Sequence, residues 1–148
     1  MLVGSGTAAL IAILKILVKR DRGTVAIPVN VCPNVVTAIY AAGKMPIYLD
    51  IEEGTCRMES DELERLEQKP GAVIAVHSYG TPCKIEIIQN ICNEHGIYLI
   101  EDAAVAQGAI SEKQGEQVLN LWVNDEVDDG KVERYANKLI DIYERTEN

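Results

Sequence analysis

Four short runs along this chain are almost wholly apolar: TVAIPV (24–29), MPIYLDI (45–51), GAVIAVHS (71–78) and IYLIED (97–102). Each has the length and composition of a buried strand. Before and between them, apolar residues recur at helical spacing. GSGTAALIAILKILVKR (4–20) reads as a glycine turn into a helix, with Thr7 at the N-cap and apolar residues nearly all round the axis. PNVVTAIYAA (33–42) starts at Pro33 and stops before Gly43, residue types that open and close helices. ESDELERLEQK (59–69) has Ser60 as its cap and acids in its first turn. CKIEIIQNICNEH (83–95) is amphipathic, with Ile87, Ile88, Ile91 and Cys92 on one face and Gly96 as its stop.

Strand and helix alternating at these lengths predict right-handed crossovers and a parallel sheet covered on both faces. After Ala109 the pattern changes. ISEKQGEQ (110–117) is polar and carries no strand signal, and VLNLWVN (118–124) is a short apolar stretch. Residues 129–145 predict a helix with Val132, Tyr135, Ala136, Leu139, Ile142 and Tyr143 on one side. The expected fold is α/β: a three-layer sandwich around a largely parallel but incomplete sheet, plus a C-terminal helix. Residues 1–110 form the main unit, and residues 111–148 a short linker and helical tail.

The chain has 148 residues, 47% of them apolar, enough for one domain with a real core. Its net charge of −9, with no Lys/Arg-rich run, argues against nucleic acid or an anionic membrane surface as the main partner. Cys32, Cys56, Cys83 and Cys92 form no CxxC pair and no metal-ligand spacing with His77 or His95. They read as reduced and mostly structural, with no metal. AALIAILKILV (8–18) resembles a secretory leader only superficially. No positive stretch precedes it, Lys15 interrupts it, and it is too short to span a bilayer. A soluble cytoplasmic protein is expected.

Two segments carry candidate chemistry. In GSGTAAL (4–10), Gly4 and Gly6 let the backbone turn sharply into a helix start. Free N–H groups and the positive dipole end there suit an anion, most often phosphate. A glycine turn without a ligand is the alternative. In IYLIEDAAVAQGA (97–109), Asp102 ends a strand at the carboxyl edge, where open α/β sheets bind ligands. Ala104 points the same way if the strand continues. A carboxylate beside a methyl suits a flat ring with a protonated nitrogen, and pyridoxal phosphate is such a ligand. An Asp that only caps the next turn is the alternative. His77 and Tyr79, in VHSYG (76–80), read first as a hydrogen-bonded, partly buried pair and second as support for a pocket.

GSGTAAL, PVNVCPNVVTAIYAAGKMPIYLDI, AVHSYGTPCKIEII and EHGIYLIEDAAVAQGA together resemble consecutive blocks of the DegT/DnrJ/StrS sugar aminotransferases. The tail LNLWVNDEVDDGKVERYANKLIDIYE resembles the end of the same family. The resemblance implies a fold-type-I enzyme that uses pyridoxal phosphate to move an amino group from an amino acid to a nucleotide-linked keto-sugar. It implies a homodimer with shared active sites. Gly6 and Thr7 would hold the cofactor phosphate, Asp102 the pyridine nitrogen, and Ala104 would pack on the ring. Residues 1–110 would be part of the cofactor-binding large domain.

The resemblance also shows departures. The family's SFxxxK block, which carries the Schiff-base lysine, and its GEGG stretch follow EDAAxAxGA, whereas here GAISEKQGEQ runs straight toward the tail. Two family strands would come from that block, which leaves the stub MLV (1–3) without its neighbour. Lys113 is the one lysine close after Asp102, and it lacks the Ser-Phe context. It is the weak candidate for the catalytic lysine, with an exposed loop lysine as the alternative. Cys32 stands where the family carries a stacking aromatic ring, and Val105 where it carries a polar side chain. The expectation is an internally shortened family member that does not turn over alone. A non-catalytic module binding cofactor, phosphate or a partner, or a gene remnant, is the alternative.

Overall fold

The computed structural model describes residues 5–18, 22–104 and 118–121. The predicted helix over 129–145, Lys113, Val105 and the MLV stub lie outside the described residues.

The chain opens with helix α1 (Gly6–Leu17), followed by strand β1 (Thr24–Pro28), helix α2 (Pro33–Ala41) and strand β2 (Met45–Leu49). A short helix α3 (Ser60–Arg65) leads to β3 (Ala72–Val76). A 3-10 turn (Ser78–Gly80) and helix α4 (Ile85–His95) then lead to β4 (Tyr98–Asp102), and β5 (Val118–Leu121) comes last. The strands form one sheet in the order β2-β1-β3-β4-β5, and every pairing is parallel.

Alternation along the strands divides the core into two layers. Val25, Ile27, Ala72, Ile74 and Ile100 pack with α1 and α2. Ala26, Val73, Ala75 and Leu99 pack with α3 and α4 on the other face. Both faces of β1, β3 and β4 are covered, so these strands need no polar side, as their composition predicts. Each helix that feeds the next strand runs back along the sheet. Helix N-termini therefore gather at the carboxyl edge of the strands, and helix C-termini at the other.

That other edge is tied together by basic side chains. Arg22 donates from one guanidinium nitrogen to the carbonyls of His95 (3.1 Å) and Gly96 (3.0 Å), closing the C-terminus of α4. Lys44, 8% exposed, donates its ammonium to the Val18 carbonyl at the end of α1. Gly96 ends α4 in the left-handed region (φ +62°), and Gly43 follows α2 in the same conformation (φ +73°), as their positions predict.

Several local expectations shift. Ser5, not Thr7, caps α1, because its hydroxyl reaches the N–H of Ala8 at 3.2 Å. Glu59 caps α3 in place of Ser60, and α3 ends at Arg65. Ile85, Ile88, Ile91 and Cys92 form the buried stripe of α4, while Ile87 is 45% exposed. The apolar stretch after residue 117 forms a fifth strand. Its residues Val118–Leu121 align with Leu99–Asp102. That strand pairs with β4 on the side away from β3. A four-residue run has no periodic signal of its own, and pairing with a distant strand decides its state.

Candidate functional site

Two groups lie at the carboxyl edge of the sheet on the α1/α2 face. The first is the α1 N-terminus. Ser5 accepts from Ala8 through its hydroxyl and from Ala9 through its carbonyl (3.1 Å). The first-turn N–H groups of Gly6 and Thr7 have no intrahelical acceptor. No acidic residue sits in that first turn, so the dipole end keeps its positive character.

The second group is Asp102, the last residue of β4. Ile100, two residues earlier, packs in the α1/α2 layer, so alternation puts Asp102 on that face as well. The strand stops here rather than continuing to Ala104. Asp102 Oδ1 accepts from the Ala104 N–H at 3.1 Å and caps the turn. One carboxylate oxygen is thus structural, and Oδ2 has no donor among the described residues. Ala104 is exposed and lies in that turn. The ring reading and the capping reading of Asp102 are compatible, since each uses a different oxygen.

Glu101 points to the opposite face, where it is 3% exposed. His77, 1% exposed, lies 2.7 Å from Glu101 Oε1 through Nε2, and its Nδ1 accepts from the Cys83 N–H at 3.0 Å. Burial disfavours the imidazolium most, and the Glu101 carboxylate opposes that by favouring it. The Cys83 N–H occupies the place a second ring proton needs. The hydrogen-bond partners therefore support the neutral tautomer with its proton on Nε2. In either charge state Nε2 donates to Glu101.

His77 and Tyr79 are not the pair expected. Tyr79 is 81% exposed and sits in the left-handed region at φ +54°. The real partner, Glu101, had one sequence signal: an acid on the buried side of an otherwise apolar strand.

A second polar group lies beyond β2, in the loop where Glu52 precedes α3. Glu52 contacts Lys84 at 2.7 Å and Arg57 at 3.3 Å, and accepts from the Thr55 hydroxyl at 2.9 Å. The Lys84 hydrogen bond, partly opposed by burial, holds the Glu52 carboxyl below its usual range.

No lysine among the described residues is free beside Asp102. Lys15 belongs to the last turn of α1, and Lys44 caps that helix at the far edge. Lys69 donates to the Leu63 and Glu64 carbonyls, and Lys84 is held by Glu52. Cys32 is exposed at the N-cap of α2 and makes no side-chain cap hydrogen bond. Glu64, Glu94 and His95 place donor atoms within 4.8 Å of one another where α3 and α4 end, away from Asp102. No helix among the described residues is long and apolar enough to cross a membrane.

The chemistry of the two groups suits a phosphorylated pyridine: N–H groups donate to a phosphate, and a carboxylate accepts from a ring N–H. Comparison with known proteins points the same way. Residues 1–121 match the DegT/DnrJ/EryC1/StrS aminotransferase family. The GDP-perosamine synthase of Vibrio cholerae is 35% identical over 107 residues, covering 72% of this chain and 29% of that protein. A putative pyridoxal phosphate-dependent aminotransferase, EpsN of Bacillus subtilis, is 34% identical over 115 residues, 73% of this chain and 30% of that protein. Among solved structures, ntda from Bacillus subtilis with bound cofactor PMP superposes with a TM-score of 0.63. It is 29% identical over 77% of this chain and 24% of that one. An AHBA synthase structure, at 20% identity, shares the fold with a TM-score of 0.71 over 91% of this chain and 40% of its own. The chain spans 29% to 30% of the length of these curated relatives.

Proposed function

Because this chain belongs to the DegT/DnrJ/EryC1/StrS aminotransferase family, we propose that it binds pyridoxal phosphate at the carboxyl edge of β4 and does not complete amino transfer alone. One observation carries this reading: the α1 N-terminus and Asp102 share one edge and one face of the sheet. Bound there, pyridoxal phosphate supplies an electron sink for amino-group chemistry. Gly6 and Thr7 bind its phosphate through backbone N–H groups. Asp102 holds a proton on the ring nitrogen through Oδ2, its Oδ1 being fixed by Ala104. Ala104 lies beside the ring.

In this reading residues 1–110 are part of a large domain, and residues 111–148 replace the block that carries the family's lysine. The described lysines support it, each being engaged or remote. The ancestral reaction is transfer from an amino acid to a nucleotide-linked keto-sugar, in a dimer. Four free cysteines agree with a reducing, cytoplasmic setting.

Borohydride reduction of the chain mixed with pyridoxal phosphate, followed by peptide mapping, tests the catalytic part. Diffuse, low labelling of surface lysines is expected. A stoichiometric adduct confined to Lys113 would overturn the inactivity and restore a catalytic lysine.

A further inference from the structure

We infer that His77 is the positioning residue for Asp102: through Glu101 it selects which of two adjacent acids faces the cofactor. The inference rests on the reading of Asp102 as the partner of the ring nitrogen. Glu101 and Asp102 are consecutive on β4, so they point to opposite faces. A shift of β4 by one residue would exchange them. Two contacts from one residue prevent that. The His77 main-chain N–H donates to the Asp102 carbonyl at 3.0 Å, which fixes the strand end. Its imidazole holds Glu101 at 2.7 Å on the α3/α4 face.

The imidazole is itself held. Its Nδ1 accepts from Cys83 N–H, and the Cys83 thiol donates to the Val76 carbonyl at 3.0 Å. Carboxylates are seldom buried without a partner, and Glu101 is 3% exposed. Its demand for a donor therefore sets the orientation of the strand end. Among the described residues the Asp102 side chain makes the local Ala104 bond alone, so it inherits its direction from that backbone. His77 never touches the cofactor in this arrangement.

The test compares His77→Gln, which keeps a donor near the Nε2 position, with His77→Asn, which loses it. Glu101→Leu removes the acceptor without leaving a buried charge, and serves if His77→Asn fails to fold. Asp102 is followed by carbon-detected NMR titration of its carboxyl in the cofactor-free chain, and pyridoxal phosphate affinity is measured separately. His77→Gln should match the native titration and bind within about threefold of the native chain, while His77→Asn and Glu101→Leu shift the titration and lose about tenfold or more in affinity. An unchanged Asp102 titration in both His77→Asn and Glu101→Leu would overturn the positioning role. If the native chain binds no pyridoxal phosphate yet the Asp102 titration moves in the variants, the cofactor reading fails and the positioning role stands.

Discussion

Asp102 caps a turn through one carboxylate oxygen, and the proposed function gives the other to a ligand; only the capping is a local matter. Its place at a strand end was legible from the apolar run before it. The identity of the turn donor was not, because it depends on where β4 stops. The cysteines show the same limit. Their sequence spacing excludes a CxxC pair, but only packing ranks their reactivity. Burial pushes the Cys92 thiol up to about 12, while Cys32 is exposed. An aromatic disulfide reagent at neutral pH should therefore modify Cys32 first, and Cys83 and Cys92 only on unfolding. Equal labelling rates for Cys32 and Cys92, read by mass spectrometry, would contradict the packing. Glu52 supplies a pH dependence. Its folded pKa is lowered, chiefly by the hydrogen bond from Lys84. Its contribution is full above the ordinary carboxylate range and is lost as pH falls through the lowered value. Lys84→Met should shift urea midpoints downward near neutral pH, and the two proteins should converge in acid as Glu52 protonates.

At the scale of elements, the apolar runs placed β1 to β4, and the glycines placed the ends of α2 and α4. What stayed hidden was long-range. The strand β5 exists by pairing with β4, and the fixing of the far edge by Arg22 and Lys44 joins residues far apart in sequence. Gly71 sits within that edge. A Cβ there would lie 2.3 Å from the Arg22 carbonyl oxygen and 2.8 Å from Val18 Cγ1. Because the nearest atom is backbone, Gly71→Ala should cost about 2 kcal/mol in urea unfolding. A neutral substitution would mean that the two edge segments pack less closely than described. Removing residues 118–148 should uncover the β4 edge. The expected outcome is concentration-dependent association, seen by light scattering. A monomer of unchanged melting temperature would contradict the role of β5 as an edge cover.

At the scale of the molecule, the parallel sheet sends every feeding helix back to the same edge, and this topology puts residues about a hundred positions apart on one edge. Gly6, Thr7 and Asp102 were legible as separate weak signals. Their common face follows only from the division of the core into two layers. The most direct measurement is equilibrium binding of pyridoxal phosphate to the full chain and to Asp102→Asn at neutral pH. Saturable one-to-one binding, weakened by about tenfold in Asp102→Asn, is the predicted result. Equal affinity in the two proteins, or no saturable binding to the native chain, would contradict the site.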